Sequence, residues 1–236
     1  MVKMKTEILD IDYTNYINIL GTAHFTQRSI IEAYQAVKNT GTKDLAIELD
    51  EKRFRTLSKL CFFCSKRNFC SFKCEFITAA EALGNIDANI WLIDMSEEDM
   101  LYRIKRLTPS ISHPQLIYTL SMVKDEELPW LWEKGFKTEA LNRSTKKLEL
   151  LQKISPQIWR VLIEERNALM AARLANIVSN IIEHGEKPNV LALMGAAHVG
   201  DVKKFLKNPT LITTTLKRLE LSYSPPTLIR KIKLQN

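Results

Sequence analysis

Two stretches of this chain echo one another: Ile19-Leu20-Gly21-Thr22-Ala23-His24 and Leu193-Met194-Gly195-Ala196-Ala197-His198. Each follows a short apolar run and precedes a helical pattern, so each reads as a strand–turn–helix corner with a G-x-x-H signature. In parallel sheets, ligands bind beyond the carboxyl ends of strands, where both histidines would sit. Glycine lets the chain turn tightly there, and the small residues between admit a ligand closely. Glu48 ends a third apolar run and adds a carboxylate. Two neutral imidazoles and one carboxylate suit a divalent metal with open coordination positions, such as Mn, Co, Fe or Zn. A lone histidine near a helix start more often only hydrogen-bonds there. Its duplication in one context favours His24, Glu48 and His198 as metal ligands.

The four cysteines form a second group, Cys61-x-x-Cys64 and Cys70-x-x-x-Cys74. On helices, the i,i+3 and i,i+4 spacings put each pair on one face, and 65–69 would then be the turn of a helical hairpin over 61–74. Three chemistries fit: nested disulfides Cys64–Cys70 and Cys61–Cys74, a four-thiolate structural zinc site, or free buried thiols. None assigns the cysteines to catalysis. His113, before Pro114, and His184, at a helix end, read as structural.

The elements that must position these groups are legible as apolar runs at 17–20, 45–49, 90–93 and 190–194, each followed at once by a small or acidic residue. Their near-continuous hydrophobicity is that of strands covered on both faces by helices. The expected fold is one α/β domain over 1–236, with a central mostly parallel or mixed sheet flanked by helices. Thr26 should cap a helix that stops near Gly41. The segment 96–154, broken at Pro109, Pro114 and Pro129, reads as a helical cover. A long uninterrupted helix should run from Ser155-Pro156 to His184-Gly185.

Composition excludes several classes. Of 236 residues, 45% are apolar and 26% charged, which rules out intrinsic disorder. The net charge of +7 is spread along the chain, and the densest basic groups, 137–153 and 217–233, are interleaved with apolar residues. They read as wet faces of amphipathic elements, so nucleic acid is not an expected partner. No run approaches the roughly 18–20 apolar residues of a membrane helix. The first ten residues carry charges where a signal peptide would be apolar, so a cytoplasmic location is expected.

Taken in order, Gly21-Thr22-Ala23-His24, Glu48-Leu49-Asp50 with Arg53 and Leu57, Glu165-Arg166-Asn167 with Met170, Arg173 and Leu174, and Gly195-Ala196-Ala197-His198 resemble the motifs of the TraB/PrgY pheromone-shutdown family. That family is related to TIKI metalloproteases and to erythromycin-esterase-like and ChaN-like proteins. A weaker match joins Glu75-Phe76 and Leu92-Ile93-Asp94, through Arg103, to a middle family segment. The resemblance implies a metal-dependent hydrolase or peptidase acting on peptide or amide bonds. It places His24, Glu48 and His198 at metal or general-base positions, and Arg53, Arg166 and Arg173 at basic positions. A guanidinium there could orient a carboxylate or an oxyanion, or form a plain surface ion pair. A basic neighbour such as Arg53 would keep Glu48 ionised. Asn167 stands where many relatives have aspartate and Met95 where they often have arginine. Those departures motivate an alternative, a peptide-binding or sequestering module without turnover. The apolar and aromatic content of 116–132 further suggests a homodimer contact.

Overall fold

The computed structural model describes residues 8–24, 26–62, 74–84 and 88–230. Its centre is a five-stranded sheet of β1 (Ile17–Thr22), β2 (Asp44–Ile47), β3 (Asn89–Leu92), β4 (Val190–Gly195) and β5 (Thr227–Arg230), in the order β1-β4-β2-β3-β5. The first four are parallel and β5 pairs antiparallel with β3 at the edge, so the sheet is mixed. The four expected strands are present. β5 was not legible, because Thr-Leu-Ile-Arg offers only two apolar residues after Pro225-Pro226. The expected amphipathic element at 217–233 therefore resolves, within the described residues, into a helix end, a connection and a strand.

The side-chain alternation of the strands divides the core. Leu45, Ile47, Leu191 and Leu193 pack with Ala33 and Val37 of α1 (Gln27–Thr40) and with Phe76 and Ala79 of α3 (Cys74–Ala82). Ala46, Ala192 and Met194 face the other way, onto α9 (Arg166–Glu183), α10 (Ala196–Lys207) and α11 (Thr210–Arg218). Each fully buried leucine here contributes about 1.5–3 kcal/mol. Both faces are thus covered, which is why these strands carry no polar alternation. Thr26 caps α1 as expected, its hydroxyl accepting from Ser29 N, and Gly41 ends the helix in the left-handed conformation at φ 57°.

α2 (Glu51–Phe62) is followed by α3. Of the helical hairpin expected over 61–74, residues 63–73 lie outside the described residues, and so does the side-chain chemistry of Cys61, Cys64, Cys70 and Cys74. The cover is helical as expected: α4 (Glu97–Leu107), α5 (His113–Met122), α6 (Leu128–Glu133) and α7 (Lys137–Ile154). Ile104, Leu151, Ile158 and Val161 join it to the following helix. Leu131 and Trp132 of α6 pack on Ala23 and Ala196, so the cover sits against both G-x-x-H corners.

The long helix differs from expectation in one respect. α8 (Pro156–Trp159) passes through a π-helical stretch, Arg160–Glu165, before α9 begins, and Ser155 makes no side-chain cap bond. A π turn brings residues five apart onto one face. Arg160 Nε accordingly donates to Glu165 Oε1 at 2.9 Å, and Arg103 clasps the same carboxylate at 2.7 and 2.9 Å. With Glu165 engaged on that side, the next two residues, Arg166 and Asn167, project toward the ends of the strands. Among the described residues no helix is long and apolar enough to cross a membrane.

Candidate active site

The sheet order brings the three sequence-distant groups together. β4 lies between β1 and β2, with Thr22 opposite Gly195 and Ile47 opposite Leu193. His24 follows the end of β1, His198 lies in the first turn of α10 after β4, and Glu48 follows β2, its N–H donating to Leu193 O at 3.0 Å. A Cβ placed on Gly195 would lie 3.2 Å from His24 Nε2, 3.4 Å from Glu48 Oε2 and 3.5 Å from His198 Cδ2. All three side chains therefore border the space that Gly195 leaves open.

The two motif glycines are required by close approach, not by turn geometry, since neither has a positive φ. A Cβ on Gly21 would stand 3.0 Å from the Ala196 Cα, so that glycine lets the two corners abut. Gly195 instead leaves room for the converging side chains. The corners are also unlike: four residues separate β1 from α1, whereas α10 starts directly after β4.

Each imidazole is fixed through Nδ1. His24 Nδ1 lies 2.7 Å from Oε1 of Glu75, a fully buried residue on α3. A carboxylate only accepts, so this nitrogen carries a hydrogen. His198 Nδ1 lies 2.6 Å from Asn167 Oδ1, and Asn167 Nδ2 donates to Asp201 Oδ2 at 3.1 Å. Burial pushes His198 below its ordinary value, and Arg166 adds to this against the pull of Glu48, so the ring is neutral.

Glu48 is 4% exposed, and both its oxygens are held: Oε1 by Arg166 Nη2 and Oε2 by the Gly195 N–H. His198 Nε2 stands 3.5 Å from Oε1. Burial would raise the Glu48 pKa, but the positive charges that His198 (when protonated) and Arg166 bring outweigh it, so the carboxyl titrates below its ordinary value. With His198 neutral, Arg166 is the cation that keeps it ionised. Arg166 also grips Asp94 through Nε at 2.9 Å and Nη2 at 2.7 Å.

Arg53, expected as the neighbour of Glu48, is displaced one ion pair outward. It caps the Asp50–Asp94 side, pairing with Asp50 and donating Nη2 to Asp94 Oδ2 at 2.7 Å and to Met95 O at 2.9 Å. Its role is to brace Asp94, which in turn holds Arg166. Arg173 donates to the Asp94 carbonyl and to Ser224, tying the segment before β5 to the strand ends. His113, exposed, opens α5, and His184 Nδ1 stands 2.6 Å from Asn180 O at the end of α9.

The site opens on the His24 side, where that side chain is 29% exposed against 4% for Glu48 and 7% for His198. A cleft of about 270 Å³ adjoins it at Asp94, lined also by Asp50, Leu92, Glu98 and Arg173. Among the described residues no three His, Cys, Asp or Glu side chains stand close enough to enclose a metal ion.

Sequence reasoning did not assign roles to Glu75, Asp94 or Asp201. The first two stood inside the weaker family match, and Asp201 carried a local signal, three residues beyond His198 on one helix.

No family model and no solved structure matches this chain. It is similar to an uncharacterized protein of Methanocaldococcus jannaschii, 25% identical over 219 residues that take in 81% of this chain and 53% of the relative. The chain thus spans about half the length of the curated relative it matches.

Proposed function

We propose that this chain is a metal-dependent hydrolase of peptide or related amide bonds, of the TraB/TIKI-like kind, centred on His24, Glu48 and His198. One observation supports the reading: two imidazoles with fixed Nδ1 atoms and an ionised carboxylate border the same space beside Gly195. The chemistry of this donor set fits a divalent cation such as Mn, Co, Fe or Zn. His198 Nε2 and Glu48 Oε1 face each other at 3.5 Å as two acceptors, which a positive charge between them relieves. Outer partners on Nδ1 are the usual support of ligating histidines.

A divalent ion held by His24, Glu48 and His198 would supply Lewis acidity toward a carbonyl and a water. Glu48, held ionised by Arg166, serves as an anionic anchor more than as a proton acceptor, because a carboxyl of lowered pKa is a weak base. Arg166 keeps its full charge and can stabilise negative charge developing on the substrate carbonyl oxygen. Leu131 and Trp132 of α6 shield the corners from water on one side. Metal analysis of the purified protein, with a peptide-library screen across divalent ions, tests this reading. The expected result is stoichiometric metal that a His24→Ala/His198→Ala double variant loses; retention in that variant would remove the site.

One feature favours a second reading, a peptide-sequestering module without turnover: Arg166 already occupies the Glu48 oxygen that an ion would share. A peptide bound yet recovered intact across the metal series would select it. Assembly as a homodimer belongs to the same proposal. No residue of α5 is buried, and Ile117, Tyr118 and Trp130 are 55%, 67% and 56% exposed, whereas Leu131 and Trp132 are packed. Sedimentation should give twice the 27.2 kDa of one chain, and a monomer at micromolar concentration would exclude the dimer.

A further inference from the structure

We propose that Asp201 is a positioning residue, which sets the orientation of the Asn167 amide and through it the tautomer of His198. Asn167 is fully buried at the start of α9, between His198 and Asp201 of α10, with contacts of 2.6 Å to His198 Nδ1 and 3.1 Å to Asp201 Oδ2. A primary amide can present either end to a neighbour, and the hydrogen-bond partners decide which. The Asp201 carboxylate only accepts, so the end facing it is the NH2. The carbonyl is thereby turned to His198, and because a carbonyl also only accepts, His198 Nδ1 must carry the hydrogen. The ring's lone pair is then on Nε2, on the side of Glu48.

The reversed amide defines a competing state. Its NH2 would face Nδ1, the hydrogen would move to Nε2, and that N–H would point at Glu48 Oε1, 3.5 Å away, where a charge-assisted bond is favourable. In that state the ring closes onto Glu48 and offers no lone pair to the centre. What opposes it is the Asp201 carboxylate, against which the amide oxygen would be driven. An aspartate at position 167 would have no such second orientation. Here the carboxylate stands one side chain farther out, and the amide transmits its preference.

This inference rests on the hydrolase reading for its consequence, but its test does not need metal or turnover. In metal-free wild-type protein, ¹⁵N-edited spectra of the histidine side chains should show His198 with hydrogen on Nδ1. Asp201→Ala, a change at an exposed position, should bring in the Nε2–H form. The exchanged pair Asn167→Asp/Asp201→Asn, which sets a carboxylate directly on Nδ1, should restore Nδ1–H. Divalent-metal affinity should fall by about 10–100-fold in Asp201→Ala and recover in the exchanged pair. An unchanged His198 spectrum in folded Asp201→Ala, or hydrogen on Nε2 in the wild type, would overturn the relay. Metal-free spectra that respond as stated in a protein that binds no metal would instead leave the relay standing and remove the hydrolase reading.

Discussion

Replacing Arg166 with alanine is expected to lower the stability of the fold by about 3–5 kcal/mol, the usual cost of stranding buried charges. Its guanidinium, with a side chain 13% exposed, is shared between Glu48 and Asp94, and it donates a further bond to Leu162 O at 3.2 Å. Without it, Glu48 keeps only the Gly195 N–H, while Asp94 falls back on Arg53 and the Met95 N–H. Both carboxylates are almost wholly buried. Urea titration at neutral pH should show the loss as a lower midpoint at unchanged slope. A Glu48→Gln/Arg166→Met variant, which removes the charge and its partner together, should recover much of it; an unshifted midpoint in Arg166→Ala would show that the network holds nothing.

The same network fixes the sign of the pH dependence. Burial would raise the Asp94 pKa, but Arg166 and Arg53 hold it far below its ordinary value of 3.8. A group depressed on folding contributes stability that is fully present above its unfolded pKa and is lost as pH falls toward the folded one. Wild-type stability should therefore fall below about pH 4, and Arg166→Ala, with less depression to lose, should fall less steeply over that range.

On the hydrolase reading proposed above, Glu48→Gln is expected to reduce peptide hydrolysis by roughly 100-fold or more, at or beyond the upper end of what losing an outer partner of a ligand costs. The substitution keeps the size of the side chain and one oxygen but removes the negative charge at the centre. Because an amide also leaves a buried NH2 to satisfy beside Arg166 and Gly195 N–H, part of the effect will appear as altered metal affinity. Separate titrations of metal and substrate divide the two contributions. A variant that cleaves peptides at the wild-type rate would exclude Glu48 from the chemistry.

Much of the architecture could be read from local pattern, because a strand buried on both faces must be apolar throughout, and a helix start needs a cap such as Thr26. The duplicated G-x-x-H and the Glu48 run end also named the groups of the candidate site, since residue type is a local property. Their convergence was not local. It depends on β4 inserting between β1 and β2, a pairing that apolar runs of similar length leave undetermined. Ion-pair partners were equally illegible: Arg53 and Arg166 are both arginines near acidic residues in the chain, and only the position of β3 beside β2 gives Asp94 to both and leaves Glu48 to Arg166. The partner of Asn167 was hidden in one dimension, whereas the packing of α9 against α10 sets Asp201 against its amide. Sequence alone determined which side chains this protein can use, because hydropathy and residue chemistry act position by position; the tertiary structure decided which of them meet, because charge pairing and hydrogen-bond direction depend on distances that only the packed sheet sets.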